Sequence, residues 1–450
     1  MEQVKNMETI VALSTPAAAG AISIVRMSGK NAVQIADKLF VSVKGKKPSE
    51  FIPRMLELGT FNTGSFKEHC MCVRFNAPFS YTGENVVEFQ LHGGMKITEG
   101  VIAACIKAGA RMASAGEFTK RAFLNGKMSL ASAEGMMDMI NAESEAEIRA
   151  GYNLLQGELS KLAKTAQDEL TDLLSEIEVS FDYPEETIEY VTKNTVKTRL
   201  MALYEKINAT LQTANTGKLL KNGVGILILG KPNAGKSSLL NALLSFERAI
   251  VTDIAGTTRD TIEDTFVIDG TKFNVIDTAG IRDTDDIVEK IGVDKAKSLI
   301  SGADLVIYVK DGSTPDSAED KQIQNLLLNK KHIVAINKSD LMGHYDPKEN
   351  EIVISAKNNV GIQELKNKIY QISTDGYAVS SNIIITNERH KDALSRAAES
   401  IMTAITNMEM SLDLISIDLK LAYSALGEIT GNTTGEDIID AIFSKFCLGK

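Results

Sequence analysis

At 450 residues the chain is too long for a single hydrophobic core, so we expect about two to four domains. Hydrophobic residues make up 44% of the sequence and charged residues 24%, which is typical of a soluble globular protein. The net charge of −10 excludes a protein that coats nucleic acid with a uniformly basic surface, so any such contact must come from local basic patches.

The sequence carries no signal for membrane insertion or secretion. No apolar run approaches the roughly 18 residues of a spanning helix, and residues 1–30 lack a basic region followed by an apolar core. The four cysteines, Cys70, Cys72, Cys105 and Cys447, do not form the two pairs of a zinc site. We therefore expect a cytoplasmic protein with reduced thiols and no membrane partner.

Residues 1–125 predict an N-terminal domain that mixes strands and helices. Runs of branched and aromatic residues favour strands, and two stretches have helical spacing. The predicted strands are 9–13, 21–27, 70–75 and 85–91, and the predicted helices are 31–40 and 96–109. The class is α+β or α/β.

Helical spacing dominates the chain on both sides of residues 222–378. Apolar residues recur in steps of three and four, which predicts amphipathic helices that pack on one another. The stripe comprises Leu155, Leu159, Leu162, Ala166, Leu170, Leu173 and Ile177, then Val196, Leu200, Leu203, Ile207 and Leu211, and finally Leu394, Ile401, Ile405 and Leu412. We expect one all-α domain built from residues 126–221 and 379–450, with residues 222–378 inserted into it.

The inserted segment begins with a phosphate-binding motif. A continuous apolar run, 226–229, predicts a buried parallel strand, and it leads into Gly230-x-x-x-x-Gly235-Lys236-Ser237 and then a helical pattern. In this setting the glycines allow backbone N–H groups to point at phosphates. Lys236 is expected to reach the β- and γ-phosphates, and the Ser237 hydroxyl to bind Mg²⁺.

Later motifs indicate which nucleotide binds. A hairpin over 266–276 ends at Asp277-Thr278-Ala279-Gly280, where the carboxylate can hold Mg²⁺ through water. Buried strands 304–310 and 332–336 follow, the second leading into Asn337-Lys338-Ser339-Asp340. A carboxylate there accepts two N–H groups that guanine offers and adenine does not. The backbone of Ser355, Ala356 and Lys357 can donate to the guanine oxygen. Residues 222–378 are therefore predicted to be a Ras-like α/β P-loop GTPase domain.

The catalytic group differs from that of Ras-like enzymes. Ile281 follows the Asp277 motif where a glutamine would orient water, and an apolar side chain cannot position a nucleophile. A substitute cation could fill the role of an arginine finger. Asn233 fits either a ligand for a monovalent cation or a plain turn residue, and Glu289 taken alone reads as a solvated surface charge.

The combined motifs resemble the MnmE (TrmE) family of tRNA-modification GTPases along essentially the whole chain. The resemblance rests on residues 230–238, 252–260 and 277–280, on 80–88 with 92–94, on 116–127, and on Phe446-Cys447-Leu448-Gly449-Lys450. It implies a homodimer joined through N-terminal domains that bind a 5-formyl- or methylene-tetrahydrofolate. It also implies a heterotetramer with an FAD-dependent MnmG-type partner, and modification of the wobble uridine of certain tRNAs at C5 with an aminomethyl or carboxymethylaminomethyl group. In this family GTP and K⁺ bring the two GTPase domains together, and K⁺ replaces the arginine finger.

The resemblance also implies roles for individual residues. The implied potassium ligands are Asn233, Thr252, Ile254 and Thr257, and the implied magnesium ligands are Ser237 and Thr258. The implied folate contacts are Arg26, Glu88, Lys127 and Lys450. Glu289 matches the glutamate that orients the attacking water. The nucleotide set is Asn233, Ala234, Gly235, Lys236, Ser237, Ser238, Thr252, Asp253, Ile254, Ala255, Gly256, Thr257, Thr258, Asp277, Thr278, Ala279, Gly280, Asn337, Lys338, Asp340, Ser355, Ala356 and Lys357. A direct catalytic role for Cys447 is left open.

Two other functions remain as alternatives. A GTPase switch in ribosome assembly would account for residues 222–378 but leaves the N-terminal motifs unused. A one-carbon transferase acting alone would not need the GTPase motifs. Folate binding separates the tRNA-modification hypothesis from the ribosome-assembly switch, and potassium dependence separates this type of GTPase from those that need an arginine finger.

Overall fold

The computed structural model describes residues 8–182, 193–244, 262–276, 298–348, 350–374 and 383–449. The strands are β1 (Ile10–Leu13), β2 (Ile22–Ser28), β3 (Phe40–Ser42), β4 (Glu57–Asn62), β5 (Lys67–Phe75), β6 (Val86–His92), β7 (Arg111–Met112), β8 (Val224–Leu229), β9 (Ile262–Ile268), β10 (Thr271–Ile276), β11 (Leu305–Asp311), β12 (His332–Asn337) and β13 (Glu351–Val353). The helices are α1 (Ala32–Leu39), α2 (Met95–Lys107), α3 (Glu117–Leu124), α4 (Leu130–Ile140), α5 (Glu145–Leu155), α6 (Glu158–Asp182), α7 (Lys193–Leu211), α8 (Ala214–Asn222), α9 (Lys236–Leu244), α10 (Ala318–Leu327), α11 (Ile362–Thr374), α12 (Glu388–Thr406), α13 (Leu412–Thr430) and α14 (Glu436–Phe443). The predicted combination of α+β, all-α and α/β parts is confirmed.

The chain divides into two compact units. The first comprises residues 1–137, 154–172 and 423–450, and the second comprises residues 138–153 and 173–422. Each unit combines segments that are separated in the sequence, so the order of segments along the chain does not by itself say which of them pack together. The predicted domain bounds at 125, 221 and 378 remain a prediction.

A seven-stranded sheet in the order β3-β4-β5-β6-β2-β1-β7 forms the centre of the first unit. Neighbouring strands are antiparallel except β1 and β7, which are parallel. Alternate residues of β4 and β5, such as Phe61 and Cys72, enter the core with residues of α1 and α2. Strand β4 was not predicted because Gly59 weakens its pattern. A Cβ on Gly59 would lie 2.3 Å from the Val41 carbonyl oxygen, so the close approach of β3 requires glycine.

The second unit contains a six-stranded sheet in the order β13-β12-β11-β8-β10-β9. Only β9 and β10 pair antiparallel; the others run parallel and are rich in branched apolar residues, as expected for strands covered on both faces. The β9–β10 turn has Asp269 at φ 47° and Gly270 at φ 75°, which suits a tight hairpin. Strand β8 lies between β10 and β11, where the strand order reverses. Ligands of open α/β sheets bind at this point.

Helical segments from before and after the inserted sheet pack on each other. In the second unit α7 packs along α12, and Lys193 Nζ donates to the carbonyl oxygens of Glu409 at 3.0 Å and Met410 at 2.9 Å. In the first unit Gln167 Nε2 donates to the Tyr423 carbonyl oxygen at 3.0 Å. These contacts support the proposal of a discontinuous helical domain.

The predicted helical stripe was wrong at its first step. Leu155 and Leu159 belong to two helices, because the chain leaves α5 at Leu155 and starts α6 at Glu158. Gly157 between them has φ 79°, a left-handed conformation that ends helices and favours glycine. Periodicity alone does not detect this break, since the apolar spacing continues across it.

Three of the four cysteines are buried in the first unit. Burial raises the pKa of Cys70 and of Cys105 to about 12, so both are inert as nucleophiles at neutral pH. Cys447 is free and exposed. Among the described residues, no helix has the length and apolar character needed to cross a membrane.

Candidate functional site

The P-loop follows β8 and turns directly into α9, as its sequence predicts. Asn233 has φ 59° and Gly235 has φ 98°, so the loop curls through left-handed backbone before the helix begins at Lys236. A Cβ on Gly235 would lie 2.1 Å from Asn337 Nδ2. Glycine is therefore required at this position, and the compact loop fits a phosphate cradle.

Lys236 folds back across the loop that carries it. Its Nζ donates to the carbonyl oxygens of Gly230 at 2.8 Å and Lys231 at 3.0 Å. Ser237 follows in the first turn of α9, where a hydroxyl can reach a metal bound to phosphate. A phosphate at the helix start would offer the ammonium group a stronger acceptor than these carbonyls.

Asn337 joins the P-loop to the loop after β13. Its side chain is buried; Nδ2 donates to the Ala234 carbonyl oxygen at 2.8 Å, and Oδ1 accepts from the Ala356 backbone N–H at 3.0 Å. One amide thus fixes the distance between the phosphate cradle and the base-recognition loop. The Ser355 N–H donates to the Val360 carbonyl oxygen at 3.0 Å, and the Ala356 N–H is engaged by Asn337. Two of the three predicted donors to guanine thus already have partners within the protein, and Lys357 is the third.

The Asp340 carboxylate is held in place by Ser355. Ser355 Oγ donates to Oδ1 at 2.7 Å, and this hydrogen bond, with nearby Lys357 and Lys338, lowers the pKa of Asp340. The group is therefore an anion at neutral pH, which accepts hydrogen bonds and does not donate them. Lys338, at φ 66°, pairs with Asp311 at 2.6 Å at the end of β11.

Several predicted site residues lie outside the described part of the chain. They are Thr252, Asp253, Ile254, Ala255, Gly256, Thr257, Thr258, Asp277, Thr278, Ala279, Gly280, Glu289 and Lys450. Ile281 lies there too. Their assignments remain predictions.

The predicted folate residues Arg26 and Glu88 face each other on neighbouring strands. Arg26 on β2 is in register with Glu88 on β6, and Arg26 Nε donates to Glu88 Oε1 at 2.7 Å. The guanidinium lies 5.5 Å from the Tyr81 ring centroid and 5.8 Å from that of Phe118. Both charged groups are mostly covered but still reach the surface, with side-chain exposures of 21% and 14%. A planar ligand with both donors and acceptors could bind at this pair.

The loop 80–84 brings Lys127 close to the same region. A Cβ on Gly83 would lie 3.2 Å from Lys127 Cε, so the Lys127 side chain passes beside the loop. The loop is fixed to the end of β2 by a buried hydrogen bond of 2.7 Å between Thr82 Oγ1 and Ser28 Oγ. Thus loop 80–84 contacts Arg26 through Tyr81 and Lys127 through Gly83.

A buried charge network under this loop was missed by the sequence analysis. Arg121 on α3 donates to Glu84 at 3.0 Å and to Glu117 at 2.8 Å, and its side chain is 1% exposed. Burial alone would raise the pKa of Glu117, but hydrogen bonds from Arg111, the Ser114 backbone and Arg121 lower it to about 2. The available signal was an arginine on the apolar face of α3, beside Phe118 and one turn after Glu117.

The C-terminal motif docks on the same unit. Gly449 packs so tightly on β1 that a Cβ on it would lie 2.0 Å from the Leu13 carbonyl oxygen. Ser14 Oγ donates to the Gly449 carbonyl oxygen at 3.1 Å. The Cys447 carbonyl oxygen accepts from the Gly116 N–H at 3.4 Å, beside the start of α3. Phe446 is buried and anchors the segment. The motif therefore lies between β1 and α3, the elements that flank the Arg26 region.

Comparison with known proteins identifies the family of this chain. A family model described as the GTP-binding protein TrmE N-terminus matches residues 9–127, and one described as the MnmE helical domain matches residues 130–447. The tRNA modification GTPase MnmE of Alkaliphilus metalliredigens (strain QYMF) is 43% identical over 457 residues, which cover 98% of this chain and 99% of that protein. The chain belongs to the MnmE family of tRNA-modification GTPases.

Other relatives carry the same description. The tRNA modification GTPase MnmE of Clostridioides difficile (strain 630) is 42% identical over 455 residues, covering 98% of this chain and 99% of that protein. Among solved structures, the G domain of the T. maritima FeoB iron transporter matches 33% of this chain and 98% of that chain, at 30% identity and a TM-score of 0.25. Membership of the MnmE family confirms the prediction of a GTPase.

Proposed function

We propose that this chain is a potassium-activated GTPase that modifies the wobble uridine of certain tRNAs. Together with an FAD-dependent MnmG-type partner in a heterotetramer, it adds an aminomethyl or carboxymethylaminomethyl group to C5. The carbon unit comes from a tetrahydrofolate derivative. GTP hydrolysis brings the GTPase domains of a homodimer together and changes its conformation. The observation that carries the proposal is that one MnmE-family chain holds a guanine-type nucleotide site and, in its first unit, the Arg26–Glu88 pair with the docked C-terminal motif.

The arrangement of the nucleotide site supports GTP as the ligand. Asn337 ties the phosphate cradle to the base loop, and the ionised Asp340 carboxylate can accept both N–H groups of guanine. Backbone N–H groups at the start of α9 and the Lys236 ammonium would bind the phosphates. We assign the nucleotide contacts to the residues named above, including the segments 252–258 and 277–280.

The donor chemistry of the site fits two cations. Ser237 and Thr258 would supply hydroxyl oxygens to Mg²⁺, and Asn233 with oxygens of Thr252, Ile254 and Thr257 would hold K⁺. Bound there, the cations would neutralise charge on the phosphates. Glu289 would orient the attacking water, because Ile281 cannot.

Asn233→Gly provides a clean test of potassium activation. Glycine tolerates the φ of 59° at this position, so the substitution removes the amide oxygen without straining the loop. We expect wild-type hydrolysis to be much faster in KCl than in NaCl. The variant should keep its GTP affinity but lose the difference between the salts.

The control for this test is Asn241→Gly in α9, which removes an amide away from the phosphates. It should retain the potassium response, although glycine within a helix costs roughly 1 kcal/mol of stability. Equal wild-type rates in KCl and NaCl would contradict the potassium assignment.

The first unit supports folate binding. Glu88 can accept from the amide-like edge of a pterin, whereas Arg26 and Lys127 suit the carboxylates of its glutamate tail. The docking of Gly449 on β1 supports the assignment of its neighbour Lys450 to the same site. Cys447 is exposed in the same motif, and we leave open whether its thiol acts as a nucleophile on the pyrimidine ring of the uridine.

The outer face of the N-terminal sheet supports the homodimer. Val41 on β3 and Leu58 on β4 are 46% and 47% exposed, on the face opposite the buried Phe40 and Phe61. Val43 next to them is 64% exposed. A contiguous apolar patch of this kind on a folded surface commonly marks an interface.

Nucleoside analysis of tRNA tests the function as a whole. Cells lacking this protein should lose the C5 substituent of the wobble uridine, and wild-type protein should restore it. Glu88→Gln should not restore the substituent, although the purified variant should hydrolyse GTP normally, because the substitution affects only the folate site. Glu99→Gln, at an exposed ion pair on α2, is the matched control and should restore it. Unchanged tRNA in the deletion strain would overturn the proposal.

A further inference from the structure

Lys231 occupies a variable position of the phosphate-binding motif, yet its side chain is fixed. Its Nζ pairs with Asp320 Oδ2 at 2.6 Å and donates to Ser317 Oγ at 3.2 Å, both at the start of α10. The Lys231 side chain is 20% exposed and that of Asp320 is 1% exposed. This is therefore a largely desolvated ion pair, and its geometry is restricted far more than that of a surface pair.

Asp320 is held from three further directions. Tyr308 on β11, itself fully buried, donates its hydroxyl to Oδ1 at 2.5 Å. The Ser317 backbone N–H and hydroxyl donate to Oδ2 at 2.8 and 2.9 Å. Burial opposes ionisation of Asp320, but the contacts with Lys231, Tyr308 and Ser317 keep its pKa well below the usual range. The carboxylate is a fixed acceptor, since its partners come from β11, from the P-loop and from the start of α10.

The backbone of Lys231 contacts Lys236, the lysine that is predicted to reach the β- and γ-phosphates. Its carbonyl oxygen accepts from Lys236 Nζ at 3.0 Å and from the Ala234 N–H at 3.3 Å. The same residue thus contacts α10 through its side chain and the phosphate cradle through its carbonyl group. Any movement of the Lys231 side chain would be transmitted to the turn that contains Ala234.

We propose that Lys231, Tyr308, Ser317 and Asp320 form a P-loop brace, which fixes the first turn of the phosphate cradle and positions Lys236 for nucleotide binding. The brace residues are positioning residues, because they act through the loop and not on the phosphates. Preorganisation of this kind lowers the cost of ordering the loop when a ligand binds. The inference rests on the GTPase activity of the proposed function.

Lys231→Met tests the brace, since methionine keeps much of the side-chain length and loses the charge. We expect the Kd values for GTP and GDP to rise roughly tenfold, corresponding to loss of one modest interaction. At saturating GTP the turnover rate should change less than about threefold, because the brace contributes equally to the ground and transition states. Lys231→Arg, which can still reach Asp320, should restore the affinity.

A double variant tests whether Lys231 and Asp320 act as one unit. Lys231→Met combined with Asp320→Asn removes both charges, and its nucleotide affinity should match that of Lys231→Met alone, because the two residues act as one unit. Glu319→Gln, an exposed acid in the same turn of α10, is the matched control and should leave affinity unchanged. All measurements use the full chain at a temperature where each variant is folded.

The outcomes separate the brace from the proposed function. If wild-type protein neither binds nor hydrolyses GTP, the proposed function fails. If wild type is active and Lys231→Met loses only thermal stability, with unchanged Kd values, the brace is overturned. Failure of Lys231→Arg to restore affinity also contradicts it.

Discussion

Asp340→Asn is expected to weaken GTP binding by roughly 10⁴-fold, because it replaces the carboxylate that accepts hydrogen bonds from guanine with an amide. The Asp340 anion can accept both the ring N–H and the exocyclic amine of guanine, and Ser355 fixes its orientation at 2.7 Å. An asparagine keeps the size and the bond to Ser355 but presents an N–H group to the amine of the base. The two donors then oppose each other.

The same substitution should create affinity for xanthosine triphosphate, whose C2 carbonyl oxygen can accept from the new amide. Titration with fluorescent GTP and XTP analogues measures both effects. Asp346→Asn is the control: this acid is 93% exposed and its ion pair is with the equally exposed His344, so its loss should leave both affinities unchanged. GTP affinity within tenfold of wild type in Asp340→Asn would falsify the assignment of Asp340 to the base.

Arg121→Met should destabilise the first unit by about 3 to 5 kcal/mol, because it leaves Glu84 and Glu117 without their shared cation in a buried site. The loss should release the loop 80–84, which carries Tyr81 against Arg26. Hydrogen exchange of peptides from residues 80–92 and 117–124 measures this locally. A local probe suits a multidomain chain, in which unfolding is not a single two-state event.

Arg149→Met is the matched control for this prediction. Its ion pair with Glu145 is exposed at 80% and 83%, so its removal should cost less than about 1 kcal/mol. Equal exchange rates in the two variants would contradict a supporting role for Arg121.

The difference between wild type and Arg121→Met should also depend on pH. The pKa of Glu117 is lowered from 4.5 to about 2 in the folded state, so its contribution to stability is complete above about pH 4.5 and is lost as the pH falls toward 2. Arg121 supplies only part of this lowering, because Arg111 and the Ser114 backbone still donate to Glu117 in the variant. The difference in the free energy of unfolding between wild type and Arg121→Met should therefore narrow by the Arg121 part as Glu117 becomes protonated.

Motifs of consecutive residues were predicted well from the sequence. The P-loop, the β9–β10 hairpin and the Asn337–Asp340 motif each carry their geometry in local turn chemistry. The structure confirms the strand and helix on either side of the P-loop, the two strands of the hairpin, and the strand that leads into Asn337. The chemistry of Asn337 was predicted only in part, since its bonds to Ala234 and Ala356 span 103 and 19 residues. Sequence spacing does not encode such a link.

Contacts between distant residues were not predictable from one sequence. Lys231 and Asp320 are 89 residues apart, and Arg121 and Glu84 are 37 apart. Both pairs are charged residues in segments whose patterns fit solvated surfaces equally well. Only the folded arrangement of β11, α10 and the P-loop, or of α3 and loop 80–84, shows that they are buried together.

The bond between Ser14 and Gly449 joins residues separated by 435 positions. During synthesis on the ribosome at roughly 5 to 20 residues per second, β1 would therefore wait about 20 to 90 s for this partner. Until then the Leu13 carbonyl and the start of α3 lack the covering segment that Phe446 anchors. A nascent chain stalled before residue 446 would therefore contain all of residues 222–378, including the P-loop, but not yet the segment that covers β1 and the start of α3.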